Sequence, residues 1–209
     1  MPPVSKKKQK VRDARAEMYR DLLLKAGEAV FSRVGYAKAR LQDIASEAGL
    51  SLTTFYATFP SKKDLFTALG QARHEELVAE LRSIAGNESA LPDRALAAAI
   101  EATVLFYTSR PELLRVLLRD GRNWAQDESL PRKERESWHA GITQYRTILR
   151  RGIECRSFVD QDPALLAMAI AAMLQVYLAH WLEKASSDPE PPIEQLTATC
   201  LRALKRPET

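Results

Sequence analysis

Cysteine, glycine and strand-like alternation are all scarce in this 209-residue chain. The two cysteines, Cys155 and Cys200, have no C-x-x-C spacing and no nearby histidine partner. That argues against a disulfide framework and against a structural zinc site, and it fits a reducing cytoplasm. His74 is followed by Glu75 and Glu76, but H-E-x-x-H is missing, and His139 and His180 have no recurring acidic or cysteine neighbours. A glycine-rich phosphate loop, a nucleophile elbow and a paired-carboxylate motif are missing too. These absences argue against an enzyme, a metal centre and a cofactor. The N-terminal MPPVSKKKQK is basic but carries no apolar run, so it does not read as a secretory signal.

What the chain does have is apolar residues at helical spacing, punctuated by Pro, Gly, Ser and Asp. Hydrophobic residues make up 45%, enough for a real core. The fold class expected is all-α, with about nine helices. Met18, Leu22, Leu23, Ala26, Val30 and Phe31 form a first stripe ending at Gly35, and Ser61 with Asp64 spells a capping box. Pro92, Pro111, Pro131, Pro163 and Pro192 mark later starts, predicting helices near 92–109, 111–119, 131–155, 163–185 and 192–205. Ala164 to Leu182 approaches the ~20 residues of a membrane span. Gln175 and His180 interrupt it and basic flanks are missing, so it reads as a buried or interface helix.

Charge is uneven. Lys and Arg number 13 against 6 acidic residues through Lys63, and 18 against 21 thereafter. A basic N-terminal part on a slightly acidic remainder suits a polyanion-binding module joined to something else. Residues 1–12 read as a flexible basic arm in which Lys8, Lys10 and Arg12 could track phosphates, or merely solubilise.

Leu41 to Phe59, LQDIASEAGLSLTTFYATF, predicts two short helices joined by a tight turn at Ala48-Gly49-Leu50-Ser51. Those lengths suit a helix-turn-helix. Gly49 supplies the positive φ of a sharp reversal, small Ala45 permits a close crossing, and Ile44, Leu50 and Phe55 lock the pair. Ser51 as N-cap fixes where a recognition helix would begin.

Residues 15–69 resemble the DNA-binding domain of TetR-type regulators. Phe31, Gly35-Tyr36, Ile44-Ala45, Ala48-Gly49, Ser51, Thr54, Tyr56, Phe59, Ser61-Lys62 and Leu65 stand in the family's order and spacing. The resemblance implies a helix-turn-helix domain at 13–70 and an effector-binding and dimerisation domain at 71–209, in a cytoplasmic homodimer that binds double-stranded DNA. It further implies a repressor released from a palindromic operator by a small apolar or amphipathic effector; the alternative is a scaffold whose C-terminal part binds a protein. Tyr56 and Lys62 would contact phosphates, Thr53 and Thr54 would reach the groove floor, and Arg40 and Gln42 could reach phosphates or a base edge. Ala39, Leu52, Thr53 and Ala57 depart from the family's usual residues. Leu52 to Phe59 holds no charge, so bases would be read by Leu52, Thr53 and Ala57 on thymine methyls and by DNA shape.

In the larger part, Ala167, Ala171, Leu174, Tyr177, Leu178 and Trp181 are the candidates for the dimer interface, small residues for approach and large ones for area. Phe106, Tyr107, Leu114, Trp124 and Trp138 are candidates for a ligand pocket. Ile142, Tyr145, Met168 and Met173 complete that set, although such stripes are more often plain core.

Overall fold

The computed structural model describes residues 6–119, 132–185 and 190–205, and among them the regular elements are nine helices. A lone bridge pairs Phe158 with Lys205. The chain divides into two compact units, one through Ala72 and the other from Arg73.

The first unit holds α1 (Lys6–Lys38), α2 (Leu41–Glu47), α3 (Leu52–Thr58) and the start of α4 (Lys62–Gly86). The helix α1 bends at Gly35, whose φ of 79° is open to glycine. Residues 6–12, expected as part of a flexible arm, are instead its first turns. Leu23, Ala26, Val30 and Phe31 of α1 bury against Ile44 and Ala45 of α2, Phe55 of α3 and Leu65 of α4. Phe31, Tyr36 and Phe66 cluster with ring centroids 4.8–5.6 Å apart. The Ser61 hydroxyl accepts from the Asp64 N–H and donates to its carboxylate, at 3.2 and 2.6 Å, which starts α4 as the capping pattern predicts.

The second unit holds the rest of α4, with α5 (Pro92–Thr108), α6 (Pro111–Arg119), α7 (Arg132–Glu154), α8 (Pro163–Lys184) and α9 (Ile193–Leu204). Proline opens α5, α6 and α8 at the first helical position, where its missing N–H costs nothing. Asp162 caps α8 by accepting from the Ala164 N–H at 2.9 Å, whereas Pro192 is the N-cap of α9 rather than its first residue. The end of α4 is held from α7: Arg151 donates to the carbonyls of Ala85, Asn87 and Ala90 at 3.0, 3.0 and 2.5 Å. Those are groups a helix terminus and its following turn leave without intrahelical partners.

At the centre, α8 packs on α5, α7 and α9. Ala167, Ile170, Ala171, Leu174, Leu178 and Trp181 form its buried face. Five of these are residues expected at a dimer interface, and they belong to the core of a single chain. The cause is the helix's composition: α8 is apolar on more than one side, and sequence alone does not say which side meets its own chain. The outer side carries Leu165 and Val176, 56% and 66% exposed, with Ala169 and Ala172 on the same stripe. Tyr177 lies between, half-buried, with its hydroxyl 3.0 Å from that of Thr199 on α9.

Candidate functional site

The turn between α2 and α3 is a stack of local hydrogen bonds. Gly49 takes φ 66° while its N–H meets the Ser46 carbonyl at 3.0 Å, and the Leu50 N–H returns to Ala45 at 2.9 Å. Ser51 then caps α3 by accepting from the Thr54 N–H at 3.1 Å. Phe55, with no exposed surface, anchors the middle of the helix, and truncating such a ring costs roughly 3–5 kcal/mol. A seven-residue helix is too short to persist by itself, so this burial and the cap hold it.

With Phe55 inward, Ser51, Thr53, Tyr56 and Ala57 are exposed, and Tyr56 leaves 53% of its surface to solvent. Arg40 and Gln42, at the start of α2, are exposed as well. Thr54 is half-buried and its hydroxyl lies 2.9 Å from that of Ser51, so it serves the turn first. Leu52 is half-buried beside it. Arg20 of α1 stands over the Phe59 ring, 5.0 Å from its centroid, at the far end of α3. Lys8, Lys10 and Arg12 are exposed along the first turns of α1.

Lys62 is engaged within the first unit. Its ammonium donates to the carbonyls of Tyr36 and Ala39 at 2.8 and 2.9 Å, with Ala37 at 3.4 Å, and lies 4.7 Å from the centre of the Tyr36 ring. Those carbonyls stand at the end of α1, where partial negative charge accumulates. All three N–H bonds are directed at main-chain carbonyls, so Lys62 joins α4 to the end of α1.

Two concavities of the second unit are lined by described residues. One is a small, half-open space of about 30 Å³, lined in part by Tyr107, Trp138, Ile142 and Tyr145, four of the expected pocket residues. His74, Leu77 and Leu81 of α4 also line it, as do Thr103, Ala171 and Leu174. The Tyr145 hydroxyl is buried, 2.7 Å from Thr103 Oγ1 and donating to the Ala99 carbonyl at 2.8 Å. Burial drives its pKa upward, so the phenol stays neutral. Trp138 stacks on His74 with rings 15° from parallel and centroids 5.4 Å apart.

The other is an open groove of about 520 Å³, with Leu77, Ala102, Phe106 and Trp181 on its floor. Leu114, Met168 and Met173 line neither space: Leu114 is fully buried core, Met173 packs against that core and Met168 is half-buried. Trp124 lies outside the described residues. Among the described residues, no group of three or more His, Cys, Asp or Glu could hold a metal ion. Sequence reasoning missed the contribution of α4. Its signal was the spacing of His74, Leu77 and Leu81, which recur on one helical face.

Comparison with known proteins agrees with this division. Residues 23–69 match bacterial regulatory proteins of the tetR family, and residues 90–204 match the tetracyclin repressor-like C-terminal domain. A helix-turn-helix-type transcriptional repressor from Streptomyces coelicolor is 27% identical over 71% of this chain and 74% of its own length. Among solved structures, the TetR family regulator PfmR from Thermus thermophilus is 26% identical with a TM-score of 0.64, covering 88% of this chain and 99% of that one. The regulator FadR from Bacillus subtilis, in complex with stearoyl-CoA, is 19% identical with a TM-score of 0.66, covering 87% and 95%. With its head and its larger helical unit both matched, the chain belongs to the TetR family of bacterial transcriptional regulators.

Proposed function

We propose that the protein is a homodimeric repressor that lays α3 in the major groove of a palindromic operator and lets go when a small amphipathic effector binds the second unit. The observation that carries this reading is the exposed face of α3: Thr53, Tyr56 and Ala57 point outward from a helix fixed by Phe55 and the Ser51 cap. Tyr56 would donate to a phosphate. Thr53 and Ala57, with the flank of Leu52, would meet base edges and thymine methyls. Arg40, Gln42, Lys8, Lys10 and Arg12 would add contacts to the backbone; Lys62 would hold the head in shape, and Thr54 would hold the turn.

One reading helix covers half an operator, so a second copy is needed about 34–36 Å along the duplex. The outer stripe of α8 suits that pairing, since Leu165 and Val176 supply area and Ala169 and Ala172 permit close approach. The groove, at about 520 Å³, is within the usual size range of small-molecule sites, which supports a small-molecule effector. A related fold, the Bacillus subtilis FadR, has been crystallised with stearoyl-CoA, which supports a ligand bearing an apolar chain. Effector binding would bias an equilibrium between DNA-competent and DNA-incompetent states.

The test is selection of bound duplexes from a random pool, followed by titration of the winner and a scrambled duplex at several salt concentrations. The reading predicts a palindrome bound with steep salt dependence, and relaxed base preference for Thr53→Ala. Failure to enrich any sequence, with no salt-sensitive affinity, would overturn it.

A further inference from the structure

We infer that the open groove of the second unit selects an organic cation, a protonated amine on an apolar body, with the Glu80 carboxylate as its counter-charge. This rests on the effector reading above and names the chemical class of the effector. The groove lies among α4, the end of α5 and the end of α8. Leu77, Ala102, Phe106 and Trp181 give it an apolar floor, and Leu105, 46% exposed, adds an apolar edge. The groove is open to solvent, so a ligand reaches that floor without rearrangement of the chain.

Selection of the head follows from which polar groups of the lining are already engaged. At the end of α5 they are spent on the helix's own last turn. Thr108 and Ser109 donate their hydroxyls to the Leu105 and Phe106 carbonyls at 3.5 and 3.0 Å. The Arg110 guanidinium donates to the Phe106 carbonyl at 3.2 Å and to Ser109 Oγ at 3.0 Å, and lies 4.6 Å from the centre of the Phe106 ring. A helix C-terminus carries partial negative charge on its last carbonyls, so α5 itself answers the Arg110 cation.

On α4 the two carboxylates of the groove differ. Glu76 is ion-paired with Arg73. Glu80, one turn further along and exposed at the groove, has no hydrogen bond or ion pair among the described residues. Among those residues it is therefore the one unanswered charge of the lining, and it is negative. An anionic head would stand against Glu80 and compete with the α5 carbonyls for Arg110. An ammonium gains the carboxylate and displaces nothing, while its apolar body covers the floor. Because Glu80 is exposed, water screens the pairing, so the floor supplies most of the affinity and Glu80 the preference.

Decylamine, decanol and decanoate share a chain length and differ in the charge of the head at neutral pH. The experiment titrates each into the full chain by calorimetry, below the concentrations at which they aggregate, and then measures operator affinity with decylamine present. Decylamine should bind roughly 2–5-fold more tightly than decanol and about tenfold more tightly than decanoate, with the difference shrinking as salt rises. Glu80→Gln, a neutral isostere at an exposed position, should bring decylamine to the affinity of decanol and leave decanol unchanged. Glu80→Lys should reverse the order, with decanoate tightest. Leu105→Ser should weaken all three alike, because it trims the apolar edge and leaves the head's partner in place.

Decanoate binding as tightly as decylamine, or an amine preference that survives Glu80→Gln, overturns the inference. Binding of none of the three also overturns it, and leaves the effector reading to any other small molecule that releases the operator. Decylamine binding that depends on Glu80 but leaves operator affinity unchanged upholds the cation site and overturns the effector reading.

Discussion

Replacing Lys62 with methionine keeps the length of the side chain and removes its charge. The clasp it breaks has two good charge-assisted hydrogen bonds, at 2.8 and 2.9 Å, and a weak third at 3.4 Å. Hydrogen bonds to charged groups contribute roughly 1.5–3 kcal/mol each. Lys62 is half-buried, so water replaces part of what is lost. A net cost of about 2 kcal/mol follows, or roughly 4–8 °C in the melting of a chain this long. Calorimetry and hydrogen exchange at the end of α1 read that loss. Because the ammonium serves the protein and not a phosphate, the slope of log affinity against log salt should stay the same. A phosphate contact would instead lower that slope by about 0.9. Unchanged stability with a reduced slope would refute the clasp and restore Lys62 as a DNA contact.

Further outcomes follow from other parts of the molecule. Val176→Glu places a charge on the outer stripe of α8 and should yield monomers by sedimentation, with operator affinity reduced at least tenfold. Tyr56→Phe should weaken operator and scrambled duplex by the same factor, about 2–12-fold in titrations, for the loss of one hydrogen bond. Gly152→Ala forces a Cβ within 2.0 Å of the buried Phe158 ring, so unfolding titrations should show a loss of roughly 1–3 kcal/mol. Burial pushes the Cys200 thiol up from 9.0 to about 11. A group raised on folding stabilises fully below its unfolded pKa, so stability should fall between about pH 9 and 11. Cys200→Ala should lose less than the parent over that window in denaturant titrations.

Much of the fold was legible because the punctuation is local. Proline at the first helical position, the Asp162 cap and the Ser61–Asp64 pairing act within a turn of themselves, and each marked a boundary that exists. The reading head was legible for the same reason: Gly49, Ser51 and Phe55 do their work within a few residues. Long-range packing was not legible. The side chain of Lys62 reaches carbonyls 23–26 positions away, and nothing in a lone lysine announces that. Composition shows that α8 is apolar on two sides but not which side meets the chain's own core, so five residues expected at the interface proved internal. Among the pocket candidates, aromatic residues shared a helical spacing whether they line a space or fill one. Only the α4 wall decides between those roles.

The most direct test of the DNA-reading claim is the affinity of Ala57→Glu for the selected duplex. Residue 57 is exposed on α3, so a carboxylate there leaves folding intact while standing against the phosphates and base edges. The account predicts an unchanged melting curve with binding to every duplex lost. Binding at parental strength by this variant would contradict it.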